Sequence, residues 1–123
     1  AWANMKARAA RAMLTEACGI LMGRDGWIEQ ALSTANIAAD PVRRFEIDPA
    51  ALIAAHRAAR EGGLPIVGYY HSHPGGPAEP SDIDRAMAAH DNAVWAIVGS
   101  NEIKFWRDGT KGFEALSYAL ADS

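Results

Sequence analysis

The spacing of hydrophobic and polar positions changes repeatedly along this 123-residue chain, and each change marks an element. From Trp2 to Leu14 the chain is rich in Ala, Met, Lys and Arg and lacks Gly and Pro, which predicts a helix with Lys6, Arg8 and Arg11 on a solvated face. The apolar stretch Ala17 to Met22 predicts the first central strand, and Arg24-Asp25-Gly26 a turn. Trp27 to Ala38 alternates loosely, as a return strand with an irregular end would. Asp48-Pro49 starts a helix, with Asp as N-cap and Pro at the first helical position. That helix is expected to run to about Glu61, to bury Leu52, Ile53 and His56, and to stop at Gly62-Gly63.

The run Ile66-Val67-Gly68-Tyr69-Tyr70 predicts a strand ending on His71, and Ser81 opens a helix reaching about His90. Ala93 to Val98 reads as a buried strand, Gly99-Ser100-Asn101 as a turn into Ile103 to Trp106, and Asp108-Gly109 as a further turn. Phe113 to Leu120 closes the chain as an edge strand, and Trp95 and Trp106 fit core aromatics. Strands, hairpins and helices in this order predict an α/β domain, a single mixed β-sheet flanked by helices.

The candidate chemistry lies between Ile66 and Asp84. Residues two apart on a strand point the same way, roughly 6.6 Å apart along the chain, so His71 and His73 can converge on one ion. The breaker-rich loop 74–80 folds the backbone back, and Ser81 starts a helix. Helical side chains lean toward the N-terminus, so Asp84 can reach the histidines. Two imidazoles and one carboxylate leave a fourth tetrahedral position open, the pattern of a catalytic zinc. Each half also has an ordinary reading: a solvated pair of histidines, and a helix capping box from Ser81 to Asp84. The two meet at one loop, however, and a cap does not exclude a metal. Asp82 and Glu79 are rival ligands; Asp82 and Asp84 point about 200° apart around a helix, so only one of them can serve. His56 reads as a core-edge histidine, and His90 lies more than two helical turns beyond Ser81.

Composition narrows the partners. One domain spanning 1–123 is expected, with 50% hydrophobic residues, 22% charged and a net charge of -3. No Lys/Arg cluster points to nucleic acid. The single Cys18 excludes an intramolecular disulfide and fits a small buried thiol. With no signal-peptide pattern, and no apolar run near the roughly 20 residues of a membrane span, a cytoplasmic protein without a membrane partner is expected.

His71-Ser72-His73, seven intervening residues, Ser81, two more and Asp84 resemble the signature of the JAMM (MPN-plus) zinc metallopeptidases. These also use an upstream glutamate, and Thr15-Glu16-Ala17-Cys18-Gly19-Ile20-Leu21-Met22-Gly23 is similar to the segment that supplies it. Arg44-Phe45-Glu46-Ile47-Asp48-Pro49 and Ala58-Ala59-Arg60-Glu61-Gly62-Gly63-Leu64-Pro65-Ile66-Val67-Gly68 resemble the small bacterial branch acting on ubiquitin-like sulfur carriers. The likeness covers roughly Leu14 to Trp106. Relatives usually begin with a strand before the first helix, whereas this chain opens on Ala1, so the sequence leaves that edge of the sheet unassigned. The family's fold is related to that of cytidine deaminases, which bind zinc through a Pro-Cys-x-x-Cys motif that a chain with one Cys does not have.

The resemblance implies one zinc ion held by His71, His73 and Asp84, with Glu16 as general base and Ser81 donating to the oxyanion. It gives Ser72 no chemical role, since strand alternation turns it away from the histidines. Asn36, Arg43 and Arg44 could line a groove for a peptide tail or sit as solvated loop residues. The implied substrate is the amide bond after the C-terminal Gly-Gly of a ubiquitin-like sulfur carrier, with cysteine released and the tail added beside a sheet edge. The chain lacks room for the long insertions of eukaryotic deubiquitinases. An isopeptidase removing ubiquitin-like modifiers from lysine is the alternative. Phage-tail and cell-wall peptidases share the metal set, and a metal-free MPN scaffold is the non-enzymatic reading.

Overall fold

The computed structural model describes residues 2–12, 15–24, 26–100 and 102–117. In chain order its elements are α1 (Trp2–Ala12), β1 (Cys18–Arg24), β2 (Trp27–Thr34), α2 (Pro49–Arg60), β3 (Ile66–Ser72), α3 (Asp82–Met87), β4 (Val94–Val98), β5 (Ile103–Gly109) and β6 (Gly112–Leu116). The six strands form one sheet in the order β2-β1-β3-β4-β5-β6. Only β3 and β4 are parallel, and the crossover between them carries α3. The other neighbours are antiparallel, so the expected mixed sheet is present.

Neighbouring residues of β1 face opposite sides of the sheet, and both sides are covered. On one, Leu21 packs with Met5 of α1, Ile28, Tyr70 and Phe105. On the other, Ile20 and Met22 pack with Ala55 of α2. Burial of both faces explains why β1 and β4 read as unbroken apolar runs. Each fully buried Leu or Ile contributes about 1.5–3 kcal/mol. Gly68 sets the spacing of the parallel pair, because a Cβ there would overlap the Val94 carbonyl.

Several boundaries differ from those expected. In α2, Asp48 caps the helix by accepting from Ala50 N–H, as expected, and Glu61 ends it. Its inner face is Leu52, Ala55 and Ala59, at helical spacing, whereas Ile53 is 58% exposed and His56 faces solvent. One step along a helix is about 100°, enough to turn Ile53 off the face that Leu52 shares.

The helix from Ser81 stops at Met87 rather than His90. There the Asp108 carboxylate, fully buried on β5, accepts from the N–H groups of both Ala89 and His90 at 3.1 Å, and His90 takes a left-handed φ of 57°. A buried acceptor across the sheet thus outcompetes another helical turn. Asp108-Gly109 is therefore strand, and the turn is Thr110-Lys111, with Gly109 paired to Gly112. Expectations for Met13, Leu14, Asp25, Asn101 and 118–120 fall outside the described residues. Among the described residues no helix is long and apolar enough to cross a membrane.

Candidate metal centre

Strand β3 ends by carrying His71 and His73 to the same side, and α3 returns Asp84 to meet them. His71 Nε2 and His73 Nε2 are 3.0 Å apart, and each is 3.0 Å from Asp84 Oδ2. The capping box holds the carboxylate. Ser81 N–H donates to Asp84 Oδ2 at 3.0 Å, and Asp84 N–H donates to Ser81 Oγ at 3.0 Å. The cap thus aims Asp84 Oδ2 at the two histidines, and the capping role is compatible with a metal role.

The rings are oriented differently. His73 Nδ1 donates to the Pro77 carbonyl at 2.9 Å, which turns Nε2 toward the cluster. His71, fully buried, stacks on Phe45 with ring centroids 4.4 Å apart and meets the edge of Trp95 at 5.5 Å. Aromatic packing therefore fixes His71, while a hydrogen bond fixes His73.

Electrostatics follow from burial and these contacts. Burial works against the Asp84 charge, but the hydrogen bonds of His71 and His73 outweigh it and hold the carboxyl well below the usual carboxylate range. Burial pushes His71 down, toward its neutral ligand form. It also works against the charged form of His73, yet contact with Asp84 and Pro77 leaves His73 raised.

A tetrahedral zinc with ligands at 2.0–2.1 Å spaces its donors about 3.3 Å apart. Three donors already 3.0 Å apart, with two imidazole Nε2 atoms and a carboxylate oxygen turned to one point, fit such an ion. They form a group of described residues able to hold a metal. The rivals fall away: Asp82 is exposed, and Glu79 is exposed and 3.8 Å from Lys104. His90 Nδ1 donates to the Gly109 carbonyl at 2.8 Å and takes no part.

Glu16 sits just before β1 and is 5% exposed. Burial raises its carboxyl to about 7, with His73 pulling it down and Asp84 and Asp40 pushing it up. Oε1 is buried and makes no hydrogen bond within the described chain. The backbone around it is tightly held. Glu16 N–H donates to the Pro41 carbonyl at 2.7 Å, Asn36 Nδ2 donates to the Glu16 carbonyl at 2.9 Å, and Ala17 N–H donates to Ser72 Oγ at 2.8 Å.

Ser72 therefore has a part that strand alternation alone hid: it points away from His71 and His73 and into the start of β1, where it fastens the segment bearing Glu16. Asn36 likewise ties loop 35–46 together, through Glu16, Arg44 and Glu46, whereas Arg43 and Arg44 are exposed. Phe45, quoted above only as part of a motif, is the platform under His71. Cys18 is fully buried beside Phe45 and Trp95, as expected of a small apolar thiol.

Such a fold and site define a domain of the JAB/MPN type. Residues 1–109 match the family described as prokaryotic homologs of the JAB domain, and the chain belongs to that family. It is 34% identical to a desampylase of Haloferax volcanii over 67% of this chain and 60% of the relative. It is 35% identical to a probable TtuB-protein conjugate cleaving protease of Thermus thermophilus over 72% of this chain and 59% of that protein. The chain thus spans about three fifths of the curated relatives it matches. A solution structure of a protein from Desulfitobacterium hafniense superposes with a TM-score of 0.86 at 30% identity, covering 99% of this chain and 89% of the other. The fold is shared with a JAB1/MPN domain protein of Archaeoglobus fulgidus, with a TM-score of 0.62 at 18% identity over 98% of this chain and 89% of that one.

Proposed function

We propose that the protein is a zinc-dependent hydrolase of the amide bond formed at the C-terminal Gly-Gly of a ubiquitin-like sulfur carrier. The observation that carries this reading is the mutual 3.0 Å approach of His71, His73 and Asp84 with a buried, proton-accepting Glu16 beside them. The names of the two curated relatives support cleavage of ubiquitin-like conjugates as the reaction class.

In this reading His71, His73 and Asp84 hold the ion, which supplies Lewis-acid polarisation of the carbonyl and an activated water. Glu16, poised near neutrality, accepts a proton from the attacking water and returns it to the leaving nitrogen. Ser81 Oγ accepts from Asp84 N–H, and its own O–H proton is directed to the carbonyl oxygen as negative charge develops there. The C–N bond breaks, the water oxygen joins the glycine carbonyl carbon, and a carboxylate and a free amine result. No serine or cysteine nucleophile is required.

The leaving amine is that of cysteine, as in the small bacterial branch resembled in sequence; a lysine-linked conjugate of the same carrier is the second reading, favoured by the relatives' names. The test is intact-mass measurement of a carrier bearing one extra C-terminal cysteine, and of a carrier linked to lysine, each incubated with zinc-loaded protein with and without chelator. Loss of the cysteine, blocked by chelator, is expected. Release from lysine alone would overturn the cysteine assignment, and no cleavage of either by zinc-loaded protein would overturn the whole reading.

A further inference from the structure

Two cavities border the site. One, of about 460 Å³, lies beside His73 and includes Lys6. The other, of about 330 Å³, is lined by Glu16, Arg8, Thr15, Thr34, Asn36 and Pro41 among others. Arg8 projects from α1 and is half-buried, and no carboxylate among the described residues forms an ion pair with it. Of the acidic neighbours, Glu16 lines the same cavity and interacts electrostatically with His73, Asp84 and Asp40, and Asp40 lies 3.9 Å from the exposed Arg43. A guanidinium with no ion pair among the described residues, in the same cavity as Glu16, suits an anion on the leaving group.

We infer that Arg8 is the receptor for the α-carboxylate of the residue released, and so restricts cleavage to a single C-terminal amino acid. The inference rests on the function proposed above. If Glu16 delivers the proton, the leaving nitrogen lies within hydrogen-bond reach of it, and in an α-amino acid the carboxylate carbon is only two bonds further on. The cavity Glu16 shares with Arg8 is within reach of that carboxylate. A lysine ε-amine is followed by four methylenes instead, and offers no anion there. Guanidinium matches carboxylate through two parallel N–H donors, which lysine at the same place would not reproduce. The hydroxyl-bearing and amide walls from Thr15, Thr34 and Asn36 add no opposing charge.

The test compares kcat/KM of the zinc-loaded full chain on two substrates, a carrier ending in Gly-Gly-Cys with a free carboxylate and the same carrier ending in the carboxamide. A preference for the acid of about 10- to 100-fold is expected, the size of one charge-assisted contact. Arg8→Gln should abolish the preference by slowing the acid alone, with the loss mainly in KM and zinc content unchanged. Arg8→Lys should recover part of it. Equal cleavage of acid and amide by the unaltered protein would overturn the inference, as would an Arg8→Gln variant that slows both substrates alike. Loss of preference in Lys6→Ala instead would transfer the role to the cavity beside His73. Cleavage of a lysine-linked carrier but neither of these substrates would overturn the inference and leave the hydrolase reading intact; failure on all three substrates would overturn both.

Discussion

Replacing Glu16 with glutamine in the metal-free protein isolates what it costs to keep this carboxyl buried. Its ordinary value is 4.5 and burial raises it to about 7. Between those two values the folded chain keeps a proton that the unfolded chain releases, so raising the pH favours unfolding, and above about 7 the penalty is complete. At about 1.36 kcal/mol for each pH unit of that window, the penalty is about 3 kcal/mol. Glutamine has nearly the same shape and no charge to bury. The difference in unfolding free energy between Glu16→Gln and the parent, from urea titrations, should therefore be near zero at pH 4 and rise toward about 3 kcal/mol in favour of glutamine at pH 8. Comparing the two proteins cancels the titration of shared groups that do not interact with Glu16. A difference that does not change with pH, or favours the parent at pH 8, would refute the reasoning. The same variant should keep its zinc and lose turnover, because stability and activity oppose one another at this side chain.

Three further perturbations address other parts of the structure. His73→Ala removes one of three donors 3.0 Å apart, and the protein should no longer retain one equivalent of zinc after dialysis, as measured by elemental analysis. Phe45→Ala takes away the ring stacked 4.4 Å from His71 and leaves a cavity in an aromatic cluster. It should cost about 3 kcal/mol of stability in denaturant titration and weaken zinc binding about 10- to 100-fold, as loss of a group orienting a ligand does. Ile53→Lys, on the solvent side of α2, should change stability by no more than about 0.5 kcal/mol.

The parts of the fold legible in the sequence were those governed by local chemistry. Asp48-Pro49 and Ser81 through Asp84 carry their caps in their own side chains, and β1, β3 and β4 are marked by apolar runs that only a sheet covered on both faces requires. His71-x-His73 places two donors by strand geometry alone. What the sequence could not show depends on contacts between distant residues. The helix after Ser81 ends early because Asp108, some twenty residues on, accepts from the N–H groups of Ala89 and His90. Ser72 looked idle because alternation says which way it points, not that the backbone of Ala17 waits there. Nothing local marks Phe45 as lying under His71, and the apolar Ile53 faces solvent because α2 buries only a narrow stripe, centred on Ala55.

The most direct test of the central claim is a zinc titration of chelator-stripped protein, following hydrolysis of a carrier ending in Gly-Gly-Cys as metal is returned. Activity should rise linearly and break at one equivalent, and His73→Ala should show no such rise. Full activity in the stripped protein, or activity that His73→Ala retains, would contradict the assignment of His71, His73 and Asp84 as the catalytic metal site.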